Sequence, residues 1–401
     1  MKSRFTKKVL VLLLAASLLF PTGSLAAGTS DSSMEYLKTI MDEIKQNYGG
    51  TVTDQQLLEG AVKGMYGTMD PYTTFFDRDE ADSFMSQVGG KFSGIGVSLN
   101  KSGDGDLLIT SVFQSSPAEK AGIMSGDRII SIDGQSISGL TIEQAVSLIK
   151  GVDGSTVNIG IMRAGSSKEQ VISVKRGEIV VNPVSYSIRD GVGYIKIDSF
   201  NSNTAVNFDK ALAEMDKNSI TKIVLDLRNN PGGEVGQAVS VARRLVPKGL
   251  ITKLNFKSPE YKNEEFYSAL QSPKYKLAVL VNEMSASASE ILSGAIQDTK
   301  AGTLIGTKTF GKAKVQATIP LLTPDATEKY KKLYNAEIVD ASDLVRKYKV
   351  DLADEDIMGL SKITIGQYTT PNGRMIDKIG LKPDIEVENY RPVNSIDVNS
   401  I

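Results

Sequence analysis

Neither cysteine nor histidine occurs anywhere among the 401 residues. No disulfide can staple such a chain, so its stability has to come from packed hydrophobic cores. At this length that calls for two or three domains, each with a core of its own. The same two absences restrict the chemistry. A Ser-His-Asp triad and a Cys-His pair are excluded, and the usual ligands of a catalytic zinc are missing. Any acyl transfer would need a lysine or a carboxylate as its base, and Ser-Lys pairs serve that purpose on unrelated folds. The formal net charge is −1, which gives no bulk attraction to nucleic acid, and none is expected as a partner. Nothing in the pattern calls for a metal or a cofactor.

Lys2, Arg4, Lys7 and Lys8 precede an uncharged apolar run from Val9 to Phe20, and Ser24-Leu25-Ala26 follows. A positive start, an apolar stretch and a small-x-small site describe a secretory signal over residues 1–26. The chain is therefore expected to be exported, to the cell envelope, the periplasm or the medium. The run falls short of the roughly 20 residues of a membrane span. An uncleaved N-terminal anchor is the alternative, and a lipid anchor is excluded for want of a cysteine.

Beyond the signal, the texture of the chain changes twice. Residues 31–87 read as helices, with Met34, Leu37, Ile40, Met41 and Ile44, then Leu57, Leu58, Ala61, Val62 and Met65, recurring at helical spacing. Their apolar faces are extensive for so small a unit, which predicts packing on another domain or dimerisation. Residues 88–177 alternate short β-rich runs with turns and two short helices, as in a small sandwich or barrel. From 178 to 392 strand and helix alternate around continuous apolar runs such as Ile223 to Leu227, the pattern of a mostly parallel, buried sheet. Residues 324–360 are charged and read as a helical insertion. The fold expected is a multi-domain α/β protein.

Four segments carry candidate chemistry. Ser285-Ala-Ser287-Ala-Ser289-Glu290 joins a strand ending at Val281 to a helix. A serine on such a turn presents its hydroxyl at a helix N-terminus, where developing negative charge is favoured. Ser287-x-x-Glu290 also reads as a plain capping box, and the choice among the three serines stays open. Asp226-Leu-Arg-Asn-Asn-Pro-Gly232-Gly233 ends a strand in a glycine turn that can expose N–H groups to an anion, or can simply be a turn. Lys312 would serve as a base only if burial kept it neutral; Phe310 and Val315 are candidates for its apolar surround, and Gln316 for a hydrogen-bond partner. Gly94-Ile95-Gly96-Val97 runs into a strand, a geometry that offers N–H groups to a peptide carboxylate beside an open sheet edge.

Taken in order, Met69-Asp70-Pro71, Phe92 to Val97, Ser116 to Gly134, Asp226 to Gly233, Val281 to Asp298, Thr309 to Gln316 and Tyr368 to Gly373 make the chain resemble a carboxy-terminal processing peptidase, a tail-specific serine protease with a PDZ domain. The resemblance covers nearly everything after the signal. It implies a PDZ domain at 88–177 and a crotonase-like protease core at 178–392. It implies Ser287 as nucleophile, Lys312 as base, Gln316 as the partner of the base, and the N–H groups of Gly233 and Ala288 as oxyanion donors. Substrate binding falls to Gly94, Ile95, Gly96 and Val97, and the substrates are proteins with apolar carboxy-terminal tails. A homodimer through the N-terminal helices and a regulatory partner at 324–360 are further expectations. Met284 departs from the family, which often has glycine before the serine block. Two other readings share parts of this pattern: a silent scaffold that only binds tails, and a crotonase-like acyl-CoA enzyme. The first predicts disruption at Ser287 or Lys312, and the second sits poorly with an export signal.

Overall fold

The computed structural model describes residues 30–388, apart from 102–106, 167, 260 and 337–340. The signal segment 1–26 lies outside the described residues. Residues Ser86–Asn182 form one compact unit, and the other described residues form another.

The larger unit is built on the apolar runs that the sequence displays. Its six-stranded sheet runs in the order Val184–Arg189, Val192–Ile197, Lys222–Asp226, Lys276–Val281, Gly302–Gly306 and Ile385–Glu386. The first pair is antiparallel and every later pair is parallel. Helices Thr204–Lys217, Val235–Leu245 and Ala288–Asp298 connect the strands. Ile195, Leu225, Val279, Phe208, Ala242 and Leu292 are all sealed in one core. Each large aliphatic side chain so buried contributes about 1.5–3 kcal/mol before the cost in entropy. Strands Lys222–Asp226 and Lys276–Val281 are direct parallel neighbours. The turns that follow them therefore leave the same sheet end side by side, where open α/β sheets place their sites.

A second sheet went unread in the sequence. Ile357–Thr369 is its spine, paired antiparallel with Thr74–Phe76, Gly249–Phe256 and Lys314–Leu322, and Glu264–Ser268 extends it. The helical stretch expected over 324–360 is accordingly shorter. Helices Pro324–Tyr334 and Ala341–Arg346 close over a small core with Tyr330, Leu344 and Leu352, and the chain is already strand from Ile357. Helix Asp54–Gly67, capped by Thr53 and Gln56, packs Val62 against Phe75 and Met358. Helix Ser30–Asn47 leaves Met34, Tyr36, Leu37 and Ile44 exposed.

The Ser86–Asn182 unit holds a sheet in the order Val97–Lys101, Leu107–Val112, Arg128–Ile132, Thr156–Met162 and Gln170–Lys175. Helices Pro117–Lys120 and Ile142–Ile149 complete it, the second started by a Thr141–Gln144 capping box. The first strand begins at Val97. Gly96 stands at φ +81° and breaks the extended run. That strand is the sheet edge.

Candidate active site

Ser287 sits where the turn after Lys276–Val281 enters helix Ala288–Asp298. Its backbone is at φ +55°, ψ −116°, a region that costs about 1–3 kcal/mol for a residue with a side chain. Neighbouring groups hold it there. Its N–H donates to Glu290 Oε2 at 2.9 Å and its carbonyl accepts from Tyr368 Oη at 3.0 Å. The capping box expected from Ser287-x-x-Glu290 is present, and the Glu290 N–H also donates to the Ser287 carbonyl at 2.8 Å. Ser287 Oγ donates to no acceptor among the described residues and is partly accessible. The flanking serines differ. Ser285 Oγ donates to the Leu227 carbonyl at 2.8 Å and accepts from the Asn282 N–H at 3.0 Å. Ser289 Oγ donates to the Asn230 carbonyl at 3.0 Å, and both residues are fully buried.

The glycine turn after Lys222–Asp226 lies against this serine. A Cβ on Gly232, at φ +100°, would stand 2.8 Å from Ser287 Cβ and 2.9 Å from Ala288 N. Gly233 forms an isolated bridge with Phe200, in which the Phe200 N–H donates to the Gly232 carbonyl and the Glu234 N–H to the Phe200 carbonyl. The Gly233 and Ala288 N–H groups are bonded to no acceptor among the described residues. Gly232→Ala combines a disfavoured φ with contact against the serine turn. It should cost more than about 2 kcal/mol in a denaturant titration, and the folded fraction should lose activity.

Lys312 is half-buried, with Nζ bonded to Gln316 Oε1 at 3.3 Å. Gln316 is fixed in turn by the Tyr72 carbonyl, which accepts from Nε2 at 3.2 Å. The surround differs from the one expected. Phe310 is 50% exposed, and Val315 belongs to the main core. The ring that covers the amine is Tyr72, with its centroid 4.6 Å from Nζ. Burial is the largest influence on Lys312 and holds it below the ordinary 10.5; the Lys362 ammonium acts in the same direction, while Asp70 and Glu290 oppose. The Tyr72 ring also favours the cation.

Three residues of this site carried no assigned chemistry in the sequence. Tyr72 arrives from the N-terminal segment on a turn that Asp70 holds, accepting from the Tyr72 N–H at 2.9 Å, Thr73 Oγ1 at 2.9 Å and Thr364 Oγ1 at 3.1 Å. Asp70-Pro71 was the visible signal, but not its destination. Glu290 read as a helix cap. It is fully buried and also accepts from Thr309 Oγ1 at 2.6 Å, the Gly311 N–H at 2.7 Å and the Lys312 N–H at 2.8 Å. Burial pushes its carboxyl up, against those hydrogen bonds. Tyr368, 2% exposed, has its one hydroxyl proton shared between the Lys312 carbonyl, 2.9 Å from Oη, and that of Ser287.

In the Ser86–Asn182 unit, the Gly94–Val97 segment spends its carbonyls inward. Ile95 accepts from the Ala118 N–H at 2.8 Å and Gly96 from the Phe113 N–H at 2.9 Å. The Ile95 and Gly96 N–H groups are bonded to no acceptor among the described residues. A Cβ on Gly96 would lie 2.5 Å from Ser116 Cβ, so no larger residue fits there. Val97 and Leu99 of the edge strand share a hydrophobic cluster with Ala145 and Leu148 of helix Ile142–Ile149.

Known proteins match both units. Residues 191–387 match peptidase family S41, residues 83–162 the PDZ domain, and residues 21–80 the activating protease CtpB N-terminal domain. Carboxy-terminal processing protease CtpA of Bacillus subtilis (strain 168) is 34% identical over 372 residues, which span 91% of this chain and 71% of that protein. Carboxy-terminal processing protease CtpB of the same organism is 32% identical over 374 residues, 92% of this chain and 70% of that one. A solved photosystem II D1 C-terminal processing protease is 26% identical and covers 87% of this chain and 86% of its own, at a TM-score of 0.46. With relatives of this likeness along most of its length, the chain belongs to the carboxy-terminal processing proteases of peptidase family S41, serine peptidases that here carry a PDZ domain.

Proposed function

We propose that this serine peptidase works through a Ser287–Lys312 dyad and cleaves proteins near carboxy-terminal tails that its PDZ domain captures. One observation carries the reading. The one serine of the turn whose hydroxyl donates to no acceptor among the described residues shares its backbone partners, Glu290 and Tyr368, with a half-buried lysine. In the proposed reaction, neutral Lys312 takes the Ser287 proton and Oγ attacks the peptide carbonyl. The Gly233 and Ala288 N–H groups receive the oxyanion, each worth about 3 kcal/mol in comparable sites. The Lys312 ammonium then protonates the leaving amine, and water clears the acyl-enzyme. Gln316 aims the amine, and Tyr72 shields it. The test is digestion of an unstructured protein such as casein by the full chain beside Ser287→Ala and Lys312→Met. Cleavage by the wild type and by neither folded variant supports the dyad; an active Ser287→Ala refutes it.

For the PDZ domain, proposed to span 88–177, a tail would add a strand to the free edge of Val97–Lys101, and its carboxylate would meet the Gly94–Val97 N–H groups. A peptide ending in a free carboxylate should therefore bind more tightly than its amide by about tenfold or more, the worth of a charge-assisted hydrogen bond. Titration calorimetry on the full chain reads this, and equal affinities would contradict it.

Three further assignments belong to the same proposal. Lys2 to Ala26 supports export, and no helix among the described residues is long and apolar enough to cross a membrane. The exposed face of helix Ser30–Asn47 is the surface for a homodimer, to be read by light scattering. The helical segment 324–360 is the surface for a regulatory partner.

A further inference from the structure

We propose that Glu290 and Tyr368 are positioning residues that clamp the proposed nucleophile and its base from two sides; this rests on the Ser287–Lys312 reading. The geometry is reciprocal. Glu290 Oε2 accepts from the N–H groups of both Ser287 and Lys312, at 2.9 and 2.8 Å. The single Tyr368 Oη–H is shared between the carbonyls of both, with Oη at 3.0 and 2.9 Å from them. Both backbone polar groups of each residue are thus tied to the same two side chains. The two amide nitrogens lie within the span of two hydrogen bonds about one oxygen.

The chemistry of the clamp fixes its form. Every group that meets the Glu290 carboxylate is a donor: Ser287 N–H and Lys312 N–H at one oxygen, Gly311 N–H and Thr309 Oγ1 at the other. A carboxylate anion satisfies all four. A protonated acid or an amide would turn a donor of its own toward them. Tyr368 is the complement, a neutral donor facing two acceptors. Its hydroxyl is kept protonated by nearly complete burial, with Glu290 and Asp377 acting the same way. Thr309 extends the clamp, because its Oγ1 also accepts from the Leu381 N–H at 2.7 Å.

Neither side chain needs to touch substrate for this role. What they set is the separation of Ser287 from Lys312, on which proton transfer depends. Ser287 also holds a disfavoured backbone conformation, so release of the clamp gives the turn a route to relax.

The experiment is steady-state cleavage of a fluorogenic peptide by the full chain, its Tyr368→Phe and Glu290→Gln variants, and Ser287→Ala, with a melting curve for each. Tyr368→Phe keeps the buried ring and removes only the bridge. Its kcat should fall about 10- to 100-fold with KM within twofold of wild type, the cost of a small misplacement of reacting groups. Glu290→Gln should fall at least as far, again in kcat. A folded Tyr368→Phe with wild-type kcat overturns the clamp. So does a change confined to KM, or a loss of activity that merely follows the folded fraction in both variants. An active Ser287→Ala overturns the nucleophile assignment instead, so the two failures are told apart.

Discussion

Lys312→Met should abolish turnover and at the same time raise the melting temperature at pH 7. The loss follows from removing the proposed base. In a serine protease, deleting one member of the nucleophile–base pair costs on the order of 10⁶ in kcat. The gain follows from linkage. Burial holds Lys312 below the 10.5 of a free lysine in the folded chain, with Lys362 adding to the effect. At pH values below the folded value, both states carry the proton, and the folded state bears the whole cost of a half-buried ammonium. Between the folded value and 10.5 the unfolded chain binds more protons, so stability rises with pH. Methionine has a similar length and no charge. The difference in melting temperature between variant and wild type should be largest near neutrality and shrink as pH approaches 10.5. A variant less stable than wild type at pH 7 would contradict the account of the lysine environment.

The second large effect separates the three serines. Ser287→Ala should leave the fold intact and remove activity, because Ser287 Oγ donates to nothing among the described residues. Ser285→Ala should do the reverse in kind. It removes a hydroxyl that bridges the Leu227 carbonyl and the Asn282 N–H in a fully buried place, at a cost of about 1–3 kcal/mol. Its residual activity should track the folded fraction. Ser289→Ala strips the Asn230 carbonyl of one donor in the same way. Denaturant titration beside cleavage assays distinguishes them. Equal stability losses at all three positions would remove the ground for singling out Ser287.

The parallel sheet was legible because its central strands are continuous apolar runs, as at Ile223 to Leu227 and Leu277 to Val281. Adjacency of those strands then brings the glycine turn and the serine turn together, and no spacing in the sequence states that. The second sheet was illegible for local reasons. Lys314–Leu322 contains Lys314, Gln316 and Pro320, and proline inside a run argues against a strand. Ile357–Thr369 is buried along its first five positions and half-buried over most of the rest, so it has no alternation to read.

The same holds in the site. Gln316 was visible because it is near Lys312 in sequence. Tyr72 meets it from 244 positions away, and Tyr368 meets Ser287 from 81. Glu290 was visible only as a cap, since a local pattern cannot show Gly311 and Lys312 arriving at its carboxylate. Phe310 was the reasonable aromatic neighbour by proximity in the chain, yet the ring over the amine comes from the N-terminal segment.

The central claim is that an uncharged lysine is the base, and the pH dependence of kcat/KM tests it most directly. With no histidine in the chain, no imidazole can supply an ionisation near neutrality. The account predicts a rate that climbs about tenfold per pH unit and levels at a single midpoint below 10.5, where Lys312 loses its proton. A rate that stays flat from the carboxylate range up to 10.5 would contradict it.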